Sequence, residues 1–483
     1  MRKNFIYTVL LSIVNILFPV LSFPYASHVL GPAGIGKVQL AISFAQYFAM
    51  FAALGIPIYG IKEAAKHKDD PKKLSGVFTE LTTIFFVASM ILFAAYLLII
   101  FSFPFFASNR SLYISAGILV LMSFSYADWF FAGIEEFKGI TVRSVLIKTI
   151  SLVLLYSFVK TSADFEKYLF IIVFSILGNQ VLSFIMVFRK TNFSFLDIRF
   201  RKHMQPLFYL FSATLAASIY TILDTVLLGF LSNDKAVGLY TASVKLIKLT
   251  IPIVTSMGVI LIPPISKGFS QNNLGEVKKL LDKSFNFLVF LSIPMALGLA
   301  ILAPECIVIF SGKQFITGST SMQILSVLPL LIGFGHFFCF QVLMPAGKNK
   351  EIFLSIVAGV FTCLALNFIL VPFLQEKGAS IANIATELIV TITYYYFTRK
   401  YYSFRYNWKF MIQSIISSVP FIPIIIGIRL MGLNMILVLV ISIILCSGAY
   451  IILQLLLFKN IFLLSFVEPL KNKFLQKKTL GNE

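Results

Sequence analysis

A chain of 483 residues that is 58% hydrophobic and 12% charged, with net charge +20 and mean hydropathy +0.91, has far more apolar surface than a soluble core of that length needs. This excludes an ordinary water-soluble enzyme, and the basic excess reads as topology and attraction to anionic lipid headgroups, not as nucleic-acid binding. Cut at its charged stretches, the chain gives fourteen apolar segments. A crossing takes about 20 mostly apolar residues for roughly 30 Å of hydrocarbon. In chain order the predicted spans are 5–25, 38–59, 78–103, 111–131, 140–159, 168–188, 206–231, 237–262, 284–310, 321–344, 352–371, 378–398, 411–428 and 432–458. The predicted fold class is an all-α polytopic membrane protein with about 14 transmembrane helices.

Lys and Arg collect in every second gap: Arg2 and Lys3, then Lys62 to Lys73, Lys138 and Arg143, Arg189 to Lys202, Lys267 to Lys283, Lys348 and Lys350, Arg399 to Lys409, and Lys459 to Lys478. The other gaps hold few, among them Lys37, Arg110, Lys235 and Arg429. Short cytoplasmic loops retain basic residues, so both termini are predicted to be cytoplasmic. The first segment carries Pro19 and Pro24 without a clear cleavage site and reads as a retained helix, not a signal peptide.

The longest polar stretches, 60–75, 188–205 and 263–283, are too short for a further domain. There is no Walker loop, H-E-x-x-H or G-x-S-x-G, and no paired-carboxylate loop of the kind a membrane transferase exposes, so no catalytic residue and no cofactor is predicted. GPAGIG at 31–36 reads as the turn of a helix hairpin. Cys306, Cys339, Cys363 and Cys446 are far apart and apolar in context, so they read as packing residues and no metal site is predicted.

Polar residues inside apolar segments mark faces that avoid lipid. The first span carries Thr8, Ser12 and Asn15, continued by Pro19 and Ser22; the seventh carries Thr214, Ser218, Thr221 and Thr225 at the spacings of the first four. Gln39, Ser43 and Gln46 on the second span match Thr241, Lys245 and Lys248 on the eighth, and the hairpins 28–37 and 227–238 correspond. Spans one and two thus recur as seven and eight. A six-helix unit enters twice from one side, which makes a parallel repeat. The predicted organisation is an N-terminal six-helix lobe 1–197, a cytoplasmic linker 198–205, a C-terminal six-helix lobe 206–400, helices thirteen and fourteen at 401–458, and a basic cytoplasmic tail 459–483. The stripes read as the polar lining of a cavity (Ser12, Asn15, Gln39, Ser43, Gln46, Ser218, Thr221, Thr241) or as helix-to-helix glue.

At about 1.5 Å per residue, Lys245 and Lys248 fall roughly 15 Å into the predicted eighth span. Translocon scales put a mid-helix lysine at about 2.5–3.5 kcal/mol, so something anionic or aqueous must compensate. Lys148 lies on a similar stripe with Thr141, Ser144 and Ser151, and Arg143 is nearer the cytoplasmic end. These four read as a basic cavity wall for phosphate or another acidic group, with structural pairing as the alternative. Asp128, Asp224 and Glu387 are candidate ion-pair or coupling acids, Glu305 is a fourth acid near a span, and His28 and His336 read as packed or interfacial.

Three stretches, VLGPAGIGKVQLAISFAQYF with LGIPIYGIKEAAK (29–66), ADWFFAGIEEFKGITVRSVLIK (127–148) and YTILDTVLLGFLSNDKAVGLYTASVKL through VILIPPISK (220–267), resemble the MOP superfamily. Within it they are similar to Wzx-type polysaccharide or O-antigen repeat-unit flippases. The resemblance implies a MATE-like V of two lobes around a cavity that opens alternately to either side of a bacterial inner membrane. It implies a cargo of polyprenyl-diphosphate-linked oligosaccharide, its prenyl tail in lipid, coupling to H+ or Na+, and glycan polymerase and chain-length machinery as partners. Lipid II flippases and multidrug exporters of the same superfamily are the alternatives; the cavity lysines disfavour organic cations.

Overall fold

Every regular element among the described residues is helical, the state in which a lipid-embedded segment satisfies its own backbone groups. The computed structural model describes residues 2–194, 199–402 and 406–458, without the side chains of 2–5, 209, 210 and 212–221. Eleven helical stretches among them are long and apolar enough to cross a membrane.

Two of these are too long for one crossing. Helix α1, Arg2–Ala53, has 52 residues, about 78 Å if straight. It breaks at Gly31, whose φ of 68° is free to glycine, and Pro32 follows. The predicted span 5–25 lies in its first arm, and 38–59 covers its second arm, the turn at Leu54–Gly55 and the start of the next helix, Ile56–His67. The 53-residue run Asn349–Tyr401 likewise breaks at Gln375, φ 51°.

The other early elements are α2 (Ile56–His67), α3 (Pro71–Ser102), α4 (Arg110–Leu121), α5 (Asp128–Gly133), α6 (Phe137–Phe158), α7 (Phe165–Val187) and α8 (Arg201–Leu231). The predicted span 237–262 is not one helix. It comprises α9, Asp234–Lys248, and α10, Ile251–Ser270. Pro252 has no N–H to extend the ladder, and Thr250 turns its hydroxyl to the Ile247 carbonyl, 2.7 Å. The polar stretch predicted at 263–283 is mostly helix, shared by α10 and α11, Leu274–Ile301. The remaining elements are α12 (Ala303–Ser311), α13 (Ser319–Leu325), α14 (Leu328–His336), α15 (Asn349–Tyr401), α16 (Trp408–Ser418), α17 (Phe421–Leu430) and α18 (Met435–Ile452). A π-helical turn, Phe337–Leu343, extends α14.

The chain forms two compact units. In the first, Met1–Thr241 with Val371–Glu376, α1 packs on α3, α4, α6, α7 and α8, and α2 on α3, α5 and α8. Its core includes Phe78, Leu81, Trp129 and Phe130, all essentially without exposure. In the second, Ala242–Leu370 with Lys377–Glu483, α11 packs on α10, α14 and α16, and α18 packs on α12 and α17. The boundary falls inside α9, beyond the stretch 198–205, because α8 packs on α1 and α2.

Candidate functional site

The polar stripe of α6 faces α1, and residue numbers rise together along the contact, so the two helices run parallel. Thr141 donates to the Tyr7 carbonyl at 3.0 Å, Lys148 donates to Asn15 Oδ1, Tyr156 donates to the Leu21 carbonyl at 3.2 Å, and Tyr25 donates to the Val159 carbonyl at 2.9 Å. Lys148 is half-buried, its ammonium 5.6 Å from the centre of the Phe18 ring. Among the described residues no carboxylate is within ion-pair reach of it; its partners are a neutral amide and a ring. Ser12 satisfies itself by donating to the Thr8 carbonyl at 3.0 Å, the behaviour of a helix-bound hydroxyl in an apolar medium.

Arg143 turns the other way. Buried to 4% exposure, it donates through Nη2 to Asp128 Oδ1 at 2.5 Å, and Ser183 on α7 donates to the same oxygen at 2.6 Å. Its Nε and Nη1 have no partner among the described residues. The structure therefore joins Lys148 to Asn15 and Arg143 to Asp128, but does not put both cations on one surface.

On the second arm of α1, Gln39 donates to Ser43 at 3.1 Å; Ser43 is buried and Gln46 half-buried. Asp224 is 2% exposed and accepts from Tyr240 Oη at 3.2 Å. The side chains of Ser218 and Thr221 lie outside the described residues. Thr241 is buried and its hydroxyl has no partner among the described residues. Glu387 is 9% exposed on α15.

Lys245 and Lys248 occupy the last turn of α9, with Lys245 half-buried and Lys248 exposed. The expectation of one continuous helix through both lysines is thus corrected. The break at 249–250 puts them at a helix C-terminus, where the dipole favours cations.

The two hairpins matched in sequence touch, backbone to backbone. A Cβ on Gly238 would lie 2.7 Å from the Pro32 carbonyl carbon and 3.0 Å from its Cα, and one on Gly36 would lie 2.6 Å from the Asp234 carbonyl carbon. Burial pushes the Asp234 carboxyl up, with the Lys37 ammonium opposing it. Lys37 also stands 5.0 Å over the Phe165 ring.

Two clusters join residues that the sequence reading leaves apart. In one, buried Glu80 on α3 accepts from His203 and Lys202, and Tyr59 closes on His203. The signal for it was a carboxylate ten residues into an apolar helix. In the other, Arg429 forks onto Glu305 with two bonds of 2.7 Å and donates to the Ile301 carbonyl, also 2.7 Å. Between α11, α17 and α18 lies an apolar cavity of about 560 Å³, lined by residues including Phe290, Pro294, Leu299, Leu439, Ile443 and Tyr450. No disulfide joins Cys306, Cys339, Cys363 or Cys446 among the described residues.

Residues 1–269 match the family model described as "Polysaccharide biosynthesis protein". The chain is 26% identical over 414 residues to the "Putative O-antigen transporter" of Escherichia coli (strain K12), covering 83% of this chain and 97% of that one. It is 26% identical over 171 residues to "Lipid II flippase MurJ" of Bacillus subtilis (strain 168), 35% of this chain and 31% of that one. Its fold is similar to a solved lipid II flippase MurJ in an inward closed conformation, TM-score 0.75 at 14% identity, over 95% of this chain and 99% of that one. It is also similar to an inward-facing multidrug resistance MATE family transporter of the MOP superfamily, TM-score 0.63 at 14% identity, over 80% and 94%. With eleven membrane-competent helices among the described residues and a family match over more than half its length, the chain belongs to the polysaccharide biosynthesis protein family, as a multi-pass membrane transporter of the MOP fold and not an enzyme.

Proposed function

We propose that this protein flips a polyprenyl-diphosphate-linked oligosaccharide repeat unit from the cytoplasmic to the outer leaflet of a bacterial inner membrane, by alternating access of two six-helix lobes with both termini cytoplasmic. The observation that carries the reading is Lys148, a cation in a membrane-spanning helix whose described partners are an amide oxygen and an aromatic ring. A charge held that way in a low dielectric gains most from an anion that visits, and a diphosphate brings one to that depth. Lys245 and Lys248, at a helix C-terminus, serve the same headgroup, while Asn15, Gln39, Ser43, Gln46, Ser218, Thr221 and Thr241 offer hydrogen bonds to sugar hydroxyls. Arg143 contributes through the two nitrogens that Asp128 leaves open. Asp224 and Glu387 are the acids suited to couple transport to H+ or Na+. The prenyl tail stays in lipid, beside the apolar surface of α17 and α18. Glycan polymerase and chain-length machinery would receive the product.

Likeness to a lipid II flippase over nearly the whole fold supports a second reading, in which the cargo is the peptidoglycan precursor. The test measures translocation of lipid-linked oligosaccharide, or of lipid II, in reconstituted vesicles for the wild type and for Lys148→Ala, Lys245→Ala and Lys248→Ala. A charge-assisted hydrogen bond contributes about 1.5–3 kcal/mol, so each variant is expected to lose roughly tenfold or more. Wild-type rates in all three sink the site. Preference for lipid II selects the second reading.

A further inference from the structure

Two polar clasps hold α17 and α18 to α11. Tyr450 Oη of α18 donates to the Phe290 carbonyl at 3.0 Å. Arg429 Nη2 of α17 donates to the Ile301 carbonyl at 2.7 Å, and the remaining bonds of that guanidinium, both 2.7 Å, go to Glu305. The two carbonyls are eleven positions apart on α11, about 17 Å at roughly 1.5 Å per residue. Between the clasps the helices do not close. The apolar cavity of about 560 Å³ fills that interval; its wall runs along α11 from Phe290 to Leu302 and along α18 from Leu439 to Ile451, and it carries no charged residue. Gly298 lies on the wall, and a Cβ placed there meets nothing within 4 Å. Ile443 and Ile451, on the α18 side, are exposed, so the open side of the cavity is itself apolar.

From this geometry we infer that the cavity is a phospholipid site, which takes one acyl chain and places the lipid's phosphate on Arg429. Length, volume and charge each point there. One leaflet of a roughly 30 Å hydrocarbon core is about 15 Å deep, close to the distance between the clasps. A methylene takes about the volume of a water molecule in its liquid, roughly 30 Å³, so the cavity has room for on the order of 20 carbons. That is a single acyl chain, and far short of a polyprenyl tail built of many five-carbon units. At one end of the cavity, where Leu302 and Cys306 of the wall flank Glu305 in sequence, Arg429 keeps 36% of its side-chain surface, and its described bonds leave Nη1 unused. A guanidinium is a planar fork that suits phosphate oxygens, and Glu305 holds it in place. At the other end the Tyr450 and Phe290 rings, 5.2 Å apart, shut the cavity, and the methyl end of the chain stops against them. Bulk lipid is as apolar as the wall, so no hydrophobic drive pulls α17 and α18 inward. Wall atoms facing a void lose their dispersion contacts, and a chain that enters restores them. The bound chain thus completes the packing of α17 and α18 on α11. The site assumes nothing about the cargo.

The test labels the lipid that the full chain retains. Wild-type protein is reconstituted with a phosphatidylethanolamine carrying a diazirine midway along one acyl chain, extracted into mild detergent and irradiated, and the labelled peptides are identified by mass spectrometry. Labels are expected on the α11 and α18 peptides that hold Met295 and Ile443. Gly298→Phe fills the cavity from its own wall and is expected to cut that labelling by about tenfold or more. Gly448→Phe adds the same ring to α18 off the wall, at a position whose Cβ also meets nothing within 4 Å, and leaves labelling unchanged. A diazirine diacylglycerol, with the same chains and no phosphate, is expected to label about fivefold less, the share of one hydrogen bond to a partly exposed guanidinium. Unlabelled phosphatidylethanolamine is expected to displace the probe, and a polyprenyl phosphate at equal concentration to displace far less. Wild-type labelling in a monodisperse Gly298→Phe protein, equal labelling by the diacylglycerol, or equal displacement by the polyprenyl phosphate overturns the proposal.

Discussion

Gly238→Ala tests whether the backbone contact between the two hairpins is what closes this end of the first unit. The new methyl would lie 2.7 Å from the Pro32 carbonyl carbon and nearer still to its oxygen, inside any distance real Cβ atoms adopt. The obstacle is backbone, so no side chain can rotate away, and the hairpins must part by on the order of 1 Å. Overpacking of this kind costs about 1–3 kcal/mol. If the contact exchanges between closed and open forms, that cost shifts the population toward open by roughly 5- to 150-fold. The readout is Leu40, 1% exposed and packed where Gly229 of α8 has no side chain. Leu40→Cys, in a background with the four native cysteines replaced by serine, is labelled with a membrane-impermeant maleimide added in turn from each side of the membrane. Labelling should accelerate in Gly238→Ala by about that factor. Gly76→Ala, whose Cβ meets nothing within 4 Å, serves as the control. An unchanged rate in a monodisperse Gly238→Ala protein would refute the reasoning.

Two further outcomes are expected. Arg429→Ala leaves the Glu305 carboxylate, 8% exposed, without its forked partner. The cost should be about 2 kcal/mol, below the roughly 3–5 of a fully buried pair because Arg429 keeps 36% of its side-chain surface. Thermal unfolding should show the loss, and Glu305→Gln added to Arg429→Ala should restore part of it; no rescue by the double variant counts against a direct pair. Asp164 is held well below the usual carboxylate range, first by the Lys167 ammonium and then by the N–H groups of Lys160 and Thr161. A lowered carboxylate stabilises the folded turn above its unfolded pKa of about 3.9 and loses that contribution as pH falls through the lowered value. Exchange of the Lys160 and Thr161 amides should therefore stay slow to strongly acidic pH and be pH-independent, after intrinsic correction, in Asp164→Asn. Loss of wild-type protection already near neutral pH contradicts the assignment.

Some of this protein follows from one-dimensional pattern. The bilayer as solvent is dictated by hydrophobicity spread over runs such as 430–458, and the all-helical class follows because a lipid-embedded backbone has no other partner than itself. The Gly31 turn is legible as GPAGIG, since only glycine reaches that φ without strain. The Thr141, Ser144, Lys148, Ser151 stripe reads correctly as one face, because 3.6-residue periodicity is local. Which partner meets that face is not local. Nothing in sequence spacing says that Lys148 finds Asn15, 133 positions away, while Arg143 turns to Asp128. Nor does hydropathy reveal the break at Leu249–Thr250, because Pro252 stops the ladder without altering the apolar average. Glu80 and His203 lie 123 positions apart, each read alone as a span edge and a linker residue. Helix packing makes them one buried cluster: a carboxylate taken out of water must find donors, and the chain supplies them from wherever tertiary contact brings them.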